Sequence, residues 1–392
     1  MTSGKRVYFS VFGSGLGHVT RTKEIASSLR QISDISYIYS TFDEAYDYLV
    51  EHNEPVVRSP SVDLEWNKAG GFSARDSFLH APVIIMDFAR QVSFEARNIT
   101  RFKPEVVVSD TRLSAVLAAA TNSFPIITIL NQFKILFPPR FRAVAVSSYY
   151  ERIAGDFLGL LWSLSDEVLM PDLPPPYTIG EANVAGTDVS DKVQYVGFMT
   201  PRISVPASRL EDTRRKLKID DRPLVFLQIS GPRATKKRFV ETSISAADEL
   251  SRQYNVVIST GDPLGSDSPR RLSNDAWLYE WCPVKDELFV LCDVLVARSG
   301  HTTIGQCIEL GKPAVLVPIY NHSEQLANAH KFQKLGLGLE IRSESLSAQL
   351  LAEYIGKCFK ETSFKSNVER LKRVAEEYHG VETAARTVDR FL

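Results

Sequence analysis

Arg298-Ser299-Gly300-His301-Thr302-Thr303-Ile304-Gly305-Gln306 stands directly after the apolar run Val294–Ala297, and this junction decides how the chain is read. A short continuous apolar run bounded by a turn reads as a buried strand. The Ser-Gly pair reads as that turn, and the residues after it open a helix. A helix N-terminus has unpaired backbone N–H groups and the positive end of the helix dipole, so such a turn is a seat for phosphate. Ser299, Gly300, His301 and Thr302 form the seat, and Gln306 lies one to two turns into the helix, within reach of ribose hydroxyls. Gly311-Lys312-Pro313 then turns the chain back into a strand, Ala314–Pro318. At its end, Glu324 and Gln325 offer an acceptor and a donor suited to sugar hydroxyls. A polar loop between helices is the plain alternative. Against it stands the fall of these pieces on successive strand ends.

The same grammar runs outward in both directions. Pro223–Ile229 is a strand opening onto Ser230-Gly231-Pro232-Arg233, and Asn255–Ser259 ends at Thr260-Gly261-Asp262. Gly231 and Arg233 read either as a surface turn or as a loop that closes on a diphosphate, with Arg233 supplying charge. In the N-terminal half, Val7–Phe12, Ser36–Ser40, Glu105–Ser109 and Ile126–Leu130 read as strands. Between them lie a helix with Ile25 and Leu29 on one face and the alanine-rich helix Ser114–Ala120. Near-continuous apolar strands alternating with helices predict an α/β chain with parallel sheets covered on both faces. The polar, proline-containing segment Thr200–Arg222 separates the halves, giving expected domains 1–202 and 203–392. The last helix, roughly Lys365–Leu392, is expected to pack back on the N-terminal domain. Ligands of doubly wound sheets bind outside the strand C-terminal ends, so two such sheets predict a site in the cleft between them.

Composition narrows the class. A length of 392 residues suits two domains, and a hydrophobic fraction of 44% supplies two cores. With a net charge of −1 there is no broad field for nucleic acid. The four cysteines, Cys282, Cys292, Cys307 and Cys358, form no C-x-x-C pair, which speaks against a zinc site or a disulfide framework. The polar start Met1–Arg6 lacks the pattern of a signal peptide, and no apolar run approaches the roughly 18 residues that span a bilayer. A cytoplasmic protein is expected, with no metal and no cofactor.

Gly13-Ser14-Gly15-Leu16-Gly17-His18 follows the first strand and opens the first helix. It fails as a dinucleotide fingerprint at its last position, where His18 would crowd a pyrophosphate. His18 is either a catalytic or substrate-contacting side chain or an incidental residue of a capping turn. A helix N-terminus favours neutral imidazole, the form a general base needs. Asp110, at the end of Val106-Val107-Val108-Ser109, either accepts a hydrogen bond from His18 or caps the helix starting near Leu113. Phe157-Leu158-Gly159-Leu160-Leu161-Trp162, with Arg140, Phe141 and Arg142 upstream, reads as a core helix or as a membrane-interface segment. Phe133–Arg142 is a candidate acceptor surface.

Taken in order along the chain, these motifs resemble the GT-B glycosyltransferases. The C-terminal half is similar to their nucleotide-sugar domain, and it resembles MurG, the peptidoglycan GlcNAc transferase, and archaeal and eukaryotic enzymes that extend lipid-diphosphate-linked GlcNAc. Plant-type glycosyltransferases share the spacing of Trp281-x-Pro283, the Gly300 turn and the acidic-Gln pair. The resemblance implies two Rossmann-like domains and His18 as the base or close to it. It implies diphosphate at Gly300 and its neighbours, and the donor sugar at Glu324 and Gln325. Gln306 stands where a glutamate usually binds ribose, and Leu130-Asn131-Gln132 replaces a histidine-glutamate-glutamine run. Gly15, Gly17 and Asn131 would lie on the acceptor side, and Asp110 would replace the missing glutamate. The expected reaction is inverting, metal-independent transfer of a sugar, GlcNAc by resemblance, from a UDP-sugar to a hydroxyl of a lipid-linked acceptor, on the cytoplasmic face of a membrane. A GT-B epimerase acting without acceptor, and a non-enzymatic binding subunit, are the other classes the motifs allow. Oligomeric state is not legible.

Overall fold

The computed structural model of the chain describes residues 5–61, 81–131, 133, 155, 157–184, 192–201, 203–272 and 276–392. The chain divides into two compact units. The first runs to Pro201 and takes back Tyr378–Leu392; the second holds Arg202–Glu377. Each is built on a seven-stranded sheet.

In the first unit the strands are β1 (Lys5–Val11), β2 (Ile35–Thr41), β3 (Val56–Arg58), β4 (Val106–Asp110), β5 (Ile126–Ile129), β6 (Glu167–Met170) and β7 (Val193–Tyr195), in the order 3-2-1-4-5-6-7. All pairs are parallel. Side chains alternate across the sheet. Val7, Phe9, Val11, Val106 and Val108 face α1 (Gly17–Ile32) and α2 (Asp43–Glu51) in one core. Tyr8, Val107, Ile126 and Val168 face Ile99 of α3 (Ala81–Phe102) and the alanines of α4 (Leu113–Thr121) in the other. Residues 157–162 are helical, and Trp162 is buried in this second core.

In the second unit β8 (Leu224–Gln228), β9 (Asn255–Ser259), β10 (Arg270–Arg271), β11 (Trp277–Tyr279), β12 (Val294–Ala297), β13 (Ala314–Leu316) and β14 (Gly338–Glu340) are ordered 10-11-9-8-12-13-14. Only the β10–β11 pair is antiparallel. The helices that matter below are α5 (Ala207–Lys216), α6 (Arg233–Leu250), α7 (Lys285–Leu291), α8 (His301–Glu309), α9 (Ser323–Lys334), α10 (Ala348–Lys360) and α11 (Thr362–Ala375). Val225, Leu227, Val256, Val294, Val296 and Val315 pack against Phe239 and Leu250 of α6 and Leu351 and Ile355 of α10.

The C-terminal segment is not one helix. It breaks at residues 376–379 into α11, which stays in the second unit, and α12 (Gly380–Asp389), which joins the first. Ala384, Ala385 and Val388 of α12 enter the core formed by β1, β4 and α1. The approach is close: a Cβ on Gly380 would lie 2.6 Å from the carbonyl oxygen of Phe198. Ser33 donates to Asp389, and Arg390 donates to Glu167 at 2.7 Å.

The turn after β4 is fixed by charge. Thr111 takes a left-handed backbone, φ 56°, which costs a β-branched residue about 1–3 kcal/mol. It separates Asp110, which meets α1, from Arg112, which meets α3. Arg112 donates to Glu95 at 2.6 Å and to the carbonyl of Val11 at 3.2 Å, and its guanidinium lies 5.1 Å from the Phe42 ring centroid. Glu95 is fully buried and also accepts from Tyr8 at 2.8 Å, Ser40 at 2.7 Å and Ser10 at 3.2 Å. Burial, together with this carboxylate, holds the Tyr8 phenol well above its usual range.

Glu95→Gln leaves Arg112 buried without its counter-charge and is expected to cost about 3–5 kcal/mol in urea unfolding; a loss below about 1 kcal/mol would show that the pair does not brace the turn. Deleting residues 378–392 removes α12, in which burial of Val388 alone is worth about 1.5–3 kcal/mol. Hydrogen exchange should speed up in Val7–Val11 and Val106–Asp110 and stay slow in Leu224–Gln228, and unchanged protection throughout would contradict the packing described.

Candidate active site

In the first unit the site is built at the C-terminal ends of β1 and β4. The Gly13–Gly17 turn carries the chain from β1 into α1, whose second residue is His18. Gly15 has φ 77°, a backbone open to glycine, and its N–H donates to Glu44 at 2.9 Å. The His18 Nδ1 lies 2.7 Å from Asp110 Oδ1. Asp110 is wholly buried, and its carboxylate is ringed by donors. Arg21 approaches it through both Nε, at 2.6 Å from Oδ2, and Nη2, on Oδ1; Thr22 donates at 3.0 Å and Thr111 at 3.2 Å. Burial alone would raise the Asp110 pKa, but the Arg21 guanidinium and then His18 outweigh it and hold the carboxyl far below the usual carboxylate range. Of the two readings of Asp110, the structure takes the first. Helix α4 has Arg112 at its N-cap position with no side-chain cap, and the Asp110 carboxylate is turned to α1.

The tautomer of His18 follows from these partners. An ionised carboxylate only accepts, and it is closer to Nδ1, at 2.7 Å, than the Arg21 Nη2 donor at 3.1 Å. The hydrogen between Nδ1 and Asp110 therefore lies on Nδ1, and in the neutral ring Nε2 is the nitrogen that bears the lone pair. The ring is 23% exposed, and the edge-on Phe12 ring lies 5.5 Å away, centroid to centroid. This is the geometry of a general base with an orienting acid. Asn131 is drawn into the same network, since its Oδ1 accepts from Arg21 Nη1 at 2.7 Å. Its side-chain oxygen thus holds Arg21. Arg21 was missed in the sequence, although His18 and Arg21 are spaced i, i+3 and so share a helix face.

In the second unit Gly300 is the N-cap residue of α8, and it has no side chain with which to cap the helix. The first intrahelical bond runs from Ile304 N to Gly300 O at 3.0 Å, so the N–H groups of the first turn point out of the helix end. A Cβ on Gly300 would meet nothing within 4 Å. Ser299 departs from its expected role. It is fully buried and its hydroxyl donates to the carbonyl of Gln325 at 2.7 Å, so it ties the turn to α9 rather than facing a ligand. His301 and Thr302 are half-buried at the helix mouth, and Gln306 is nearly buried in the second turn.

Glu324 and Gln325 open α9. Gln325 accepts from Ile319 N at 3.0 Å through Oε1, which fixes the amide so that Nε2 is left to donate. Glu324 is half-buried, and its carboxylate has no hydrogen-bond partner among the described residues. Gly231 has φ 100°, and Arg233 begins α6 with its side chain 84% exposed, 3.3 Å from Asp262. Arg298, also missed in the sequence, is buried. It donates to Val317 O at 2.9 Å, Pro318 O at 3.2 Å, Ser343 at 3.2 Å and Thr235 O at 2.6 Å, and lies 4.9 Å from the Phe239 ring centroid. Burial pushes its pKa down to about 10, so it stays charged at neutral pH.

All four cysteines are free and buried, and burial pushes the thiols of Cys282, Cys292 and Cys358 up to about 12. Arg140, Phe141, Arg142 and Gln132 lie outside the described residues. Phe133 is buried and so belongs to the core. Phe157 and Leu160 are 60% and 66% exposed, while Trp162 packs inside. Among the described residues no helix is long and apolar enough to cross a membrane, and no three His, Cys, Asp or Glu side chains gather as a metal-ligand set.

Residues 234–383 match the model of the glycosyltransferase family 28 C-terminal domain, and residues 5–139 match that of glycosyl transferase family 1. An uncharacterized glycosyltransferase of Methanopyrus kandleri is 28% identical over 93% of this chain and 98% of its own length. The Clostridium novyi UDP-N-acetylglucosamine–N-acetylmuramyl-(pentapeptide) pyrophosphoryl-undecaprenol N-acetylglucosamine transferase is 29% identical over 37% of this chain and 41% of its own. The Streptomyces sp. SF2575 glycosyltransferase SsfS6, solved with thymidine diphosphate, superposes with a TM-score of 0.62 at 18% identity, covering 98% of this chain and 99% of that one. Two doubly wound sheets, domain matches in both halves and relatives along nearly the whole length agree: the chain is a glycosyltransferase of the GT-B fold, whose residues 234–383 are similar to the family 28 C-terminal domain.

Proposed function

We propose that the enzyme transfers a sugar, N-acetylglucosamine in the first instance, from a UDP-sugar to a hydroxyl of a lipid-linked sugar, with inversion and without a resident metal. The observation that carries this reading is the N-terminus of α8 at Gly300. Its glycine is required neither by backbone nor by packing: φ is −66°, which any residue adopts, and the Cβ position is open. A diphosphate seated there meets backbone donors and the helix dipole. Gln306 would read the ribose diol, while Glu324 would accept from a sugar hydroxyl and Gln325 Nε2 would donate to one. Arg233, exposed on its loop, would swing to the diphosphate.

In the reaction, the acceptor hydroxyl loses its proton to His18 Nε2 as its oxygen attacks the anomeric carbon. The bond from that carbon to the diphosphate breaks, and its electron pair leaves with UDP. The charge that develops on the leaving group is met by the α8 N–H groups, which strengthens binding where the transition state needs it. Attack by a single acceptor from the opposite side inverts the anomeric centre. The partial match to a transferase whose name includes a pyrophosphoryl-undecaprenol acceptor, together with the exposed Phe157 and Leu160, supports an acceptor carried on a membrane surface.

Gly300→Ala tests the donor seat. The variant should fold and melt as the parent does, because its backbone suits alanine, and calorimetry should show UDP binding weakened by about tenfold or more, the scale of losing one charge-assisted hydrogen bond. Unchanged UDP affinity, or a wild-type protein that binds NAD and not UDP, would overturn the reading. His18→Ala should lower turnover with UDP-N-acetylglucosamine and a polyprenyl-diphosphate-linked sugar by roughly 10²–10⁴-fold while UDP affinity is unchanged. Near-normal turnover would remove His18 from the chemistry.

A further inference from the structure

We infer that Arg21 is a positioning residue that keeps His18 in its proton-accepting form by neutralising Asp110; this rests on the reading of His18 as the base. A carboxylate alone beside an imidazole orients it and also invites a second proton onto it, because the charged pair is favoured. Such a histidine holds its second proton up to a higher pH and so accepts one less readily near neutrality. Here the carboxylate is not alone. Arg21 lies on both oxygens of Asp110, at 2.6 Å from Oδ2 through Nε, and its Nη2 stands 3.1 Å from His18 Nδ1. The guanidinium is almost wholly buried, and its third nitrogen is held by Asn131. Each of the three nitrogens donates within the protein, and the side chain is 6% exposed. Its effect on the reaction passes through Asp110 and His18.

The arrangement separates two properties that a simple pair joins. Asp110 still accepts from Nδ1 and fixes the tautomer. Its charge, however, is balanced by a fixed cation, and that cation is also close enough to oppose imidazolium formation directly. The other groups around the ring do not supply this balance. From the end of β1 comes the apolar Phe12, 5.5 Å away. Helix α2 contributes Glu44, which is bound to Gly15 N in the preceding turn. Helix α12 contributes Asp389, which bonds Ser33 at the far end of α1. Thr22 and Thr111 donate to Asp110 but carry no charge.

The test separates charge from geometry and needs no substrate. Diethyl pyrocarbonate acylates neutral imidazole at its free nitrogen, so the pH dependence of His18 acylation, followed by mass spectrometry, reads its protonation. Arg21→Gln keeps a donor for Asp110 and loses the charge; Arg21→Lys keeps the charge and loses the fork. The pH at which His18 becomes reactive should rise by about one unit or more in Arg21→Gln, within the range that a close charge produces, and should stay near that of the parent in Arg21→Lys. Both variants should bind UDP as the parent does. Equal behaviour of the two variants, whether both shift or neither, would overturn the inference. The base reading fails separately, if His18→Ala retains turnover.

Discussion

A carboxylate with no exposure to water must be surrounded by donors or be protonated, and in this chain that demand falls on Asp110 at the end of the central strand β4. The first two turns of α1 answer it with His18, Arg21 and Thr22. One buried charge thus fixes the register of the helix on the sheet and the entry of the Gly13–Gly17 turn, and selects which nitrogen of His18 bears hydrogen. The left-handed Thr111 is part of the same constraint, because it lets consecutive side chains leave β4 for opposite faces. Asp110 is satisfied by α1, and Arg112 by Glu95 of α3. Each ion pair is buried in a different core of the same unit. Neither alone is a strong argument for stability; together they locate one turn from both sides.

The sequence reveals this architecture wherever one local rule decides the outcome. Asn255–Ser259 and Val294–Ala297 are strands with the boundaries read from their apolar runs, since both are central and covered on both faces. The glycine turns at 13–17 and 299–300 are legible because a turn between strand and helix needs small residues. Edge strands are not. Residues 56–58, 193–195, 270–271 and 338–340 form strands of two or three residues, and their pairing comes from the neighbouring strand rather than from their own periodicity. The C-terminal helices read as one because the break at 376–379 lacks proline, and its reason is tertiary: Tyr378 and Gly380 pack onto Gly197 and Phe198.

The candidate site shows the same division. His18, Asp110, Gly300 and Gln325 were visible as types at strand ends, and the structure gives each a geometry. Ser299 and Asn131 look like ligands in a sequence, since a hydroxyl and an amide at a turn can face either way. Their partners, Gln325 O and Arg21, are 26 and 110 residues away in the chain, and no local pattern announces them. Arg21 and Arg298 were overlooked for a related reason. An arginine near a glycine turn reads as a surface charge, and only burial turns it into a brace.

Arg298 also shows that the two units use buried charge in opposite ways. In the first unit the guanidinium of Arg21 is matched by Asp110, so the pair adds little net field. In the second, Arg298 bonds three backbone carbonyls and a hydroxyl, and among the described residues no carboxylate pairs with it. Removal from water costs it part of its proton affinity, yet with a pKa of about 10 it remains a cation. Its charge sits one residue before the Ser299-Gly300 turn, behind a helix N-terminus that is itself positive. A buried cation is screened far less than a surface one, so both fields act on whatever occupies the turn. Anions are favoured there even though the chain as a whole is close to neutral. The surface arginine at 233, 84% exposed beside Asp262, contributes little by comparison until it moves. The positive field at the turn is therefore set by the packing beneath it, where solvent and salt reach it least.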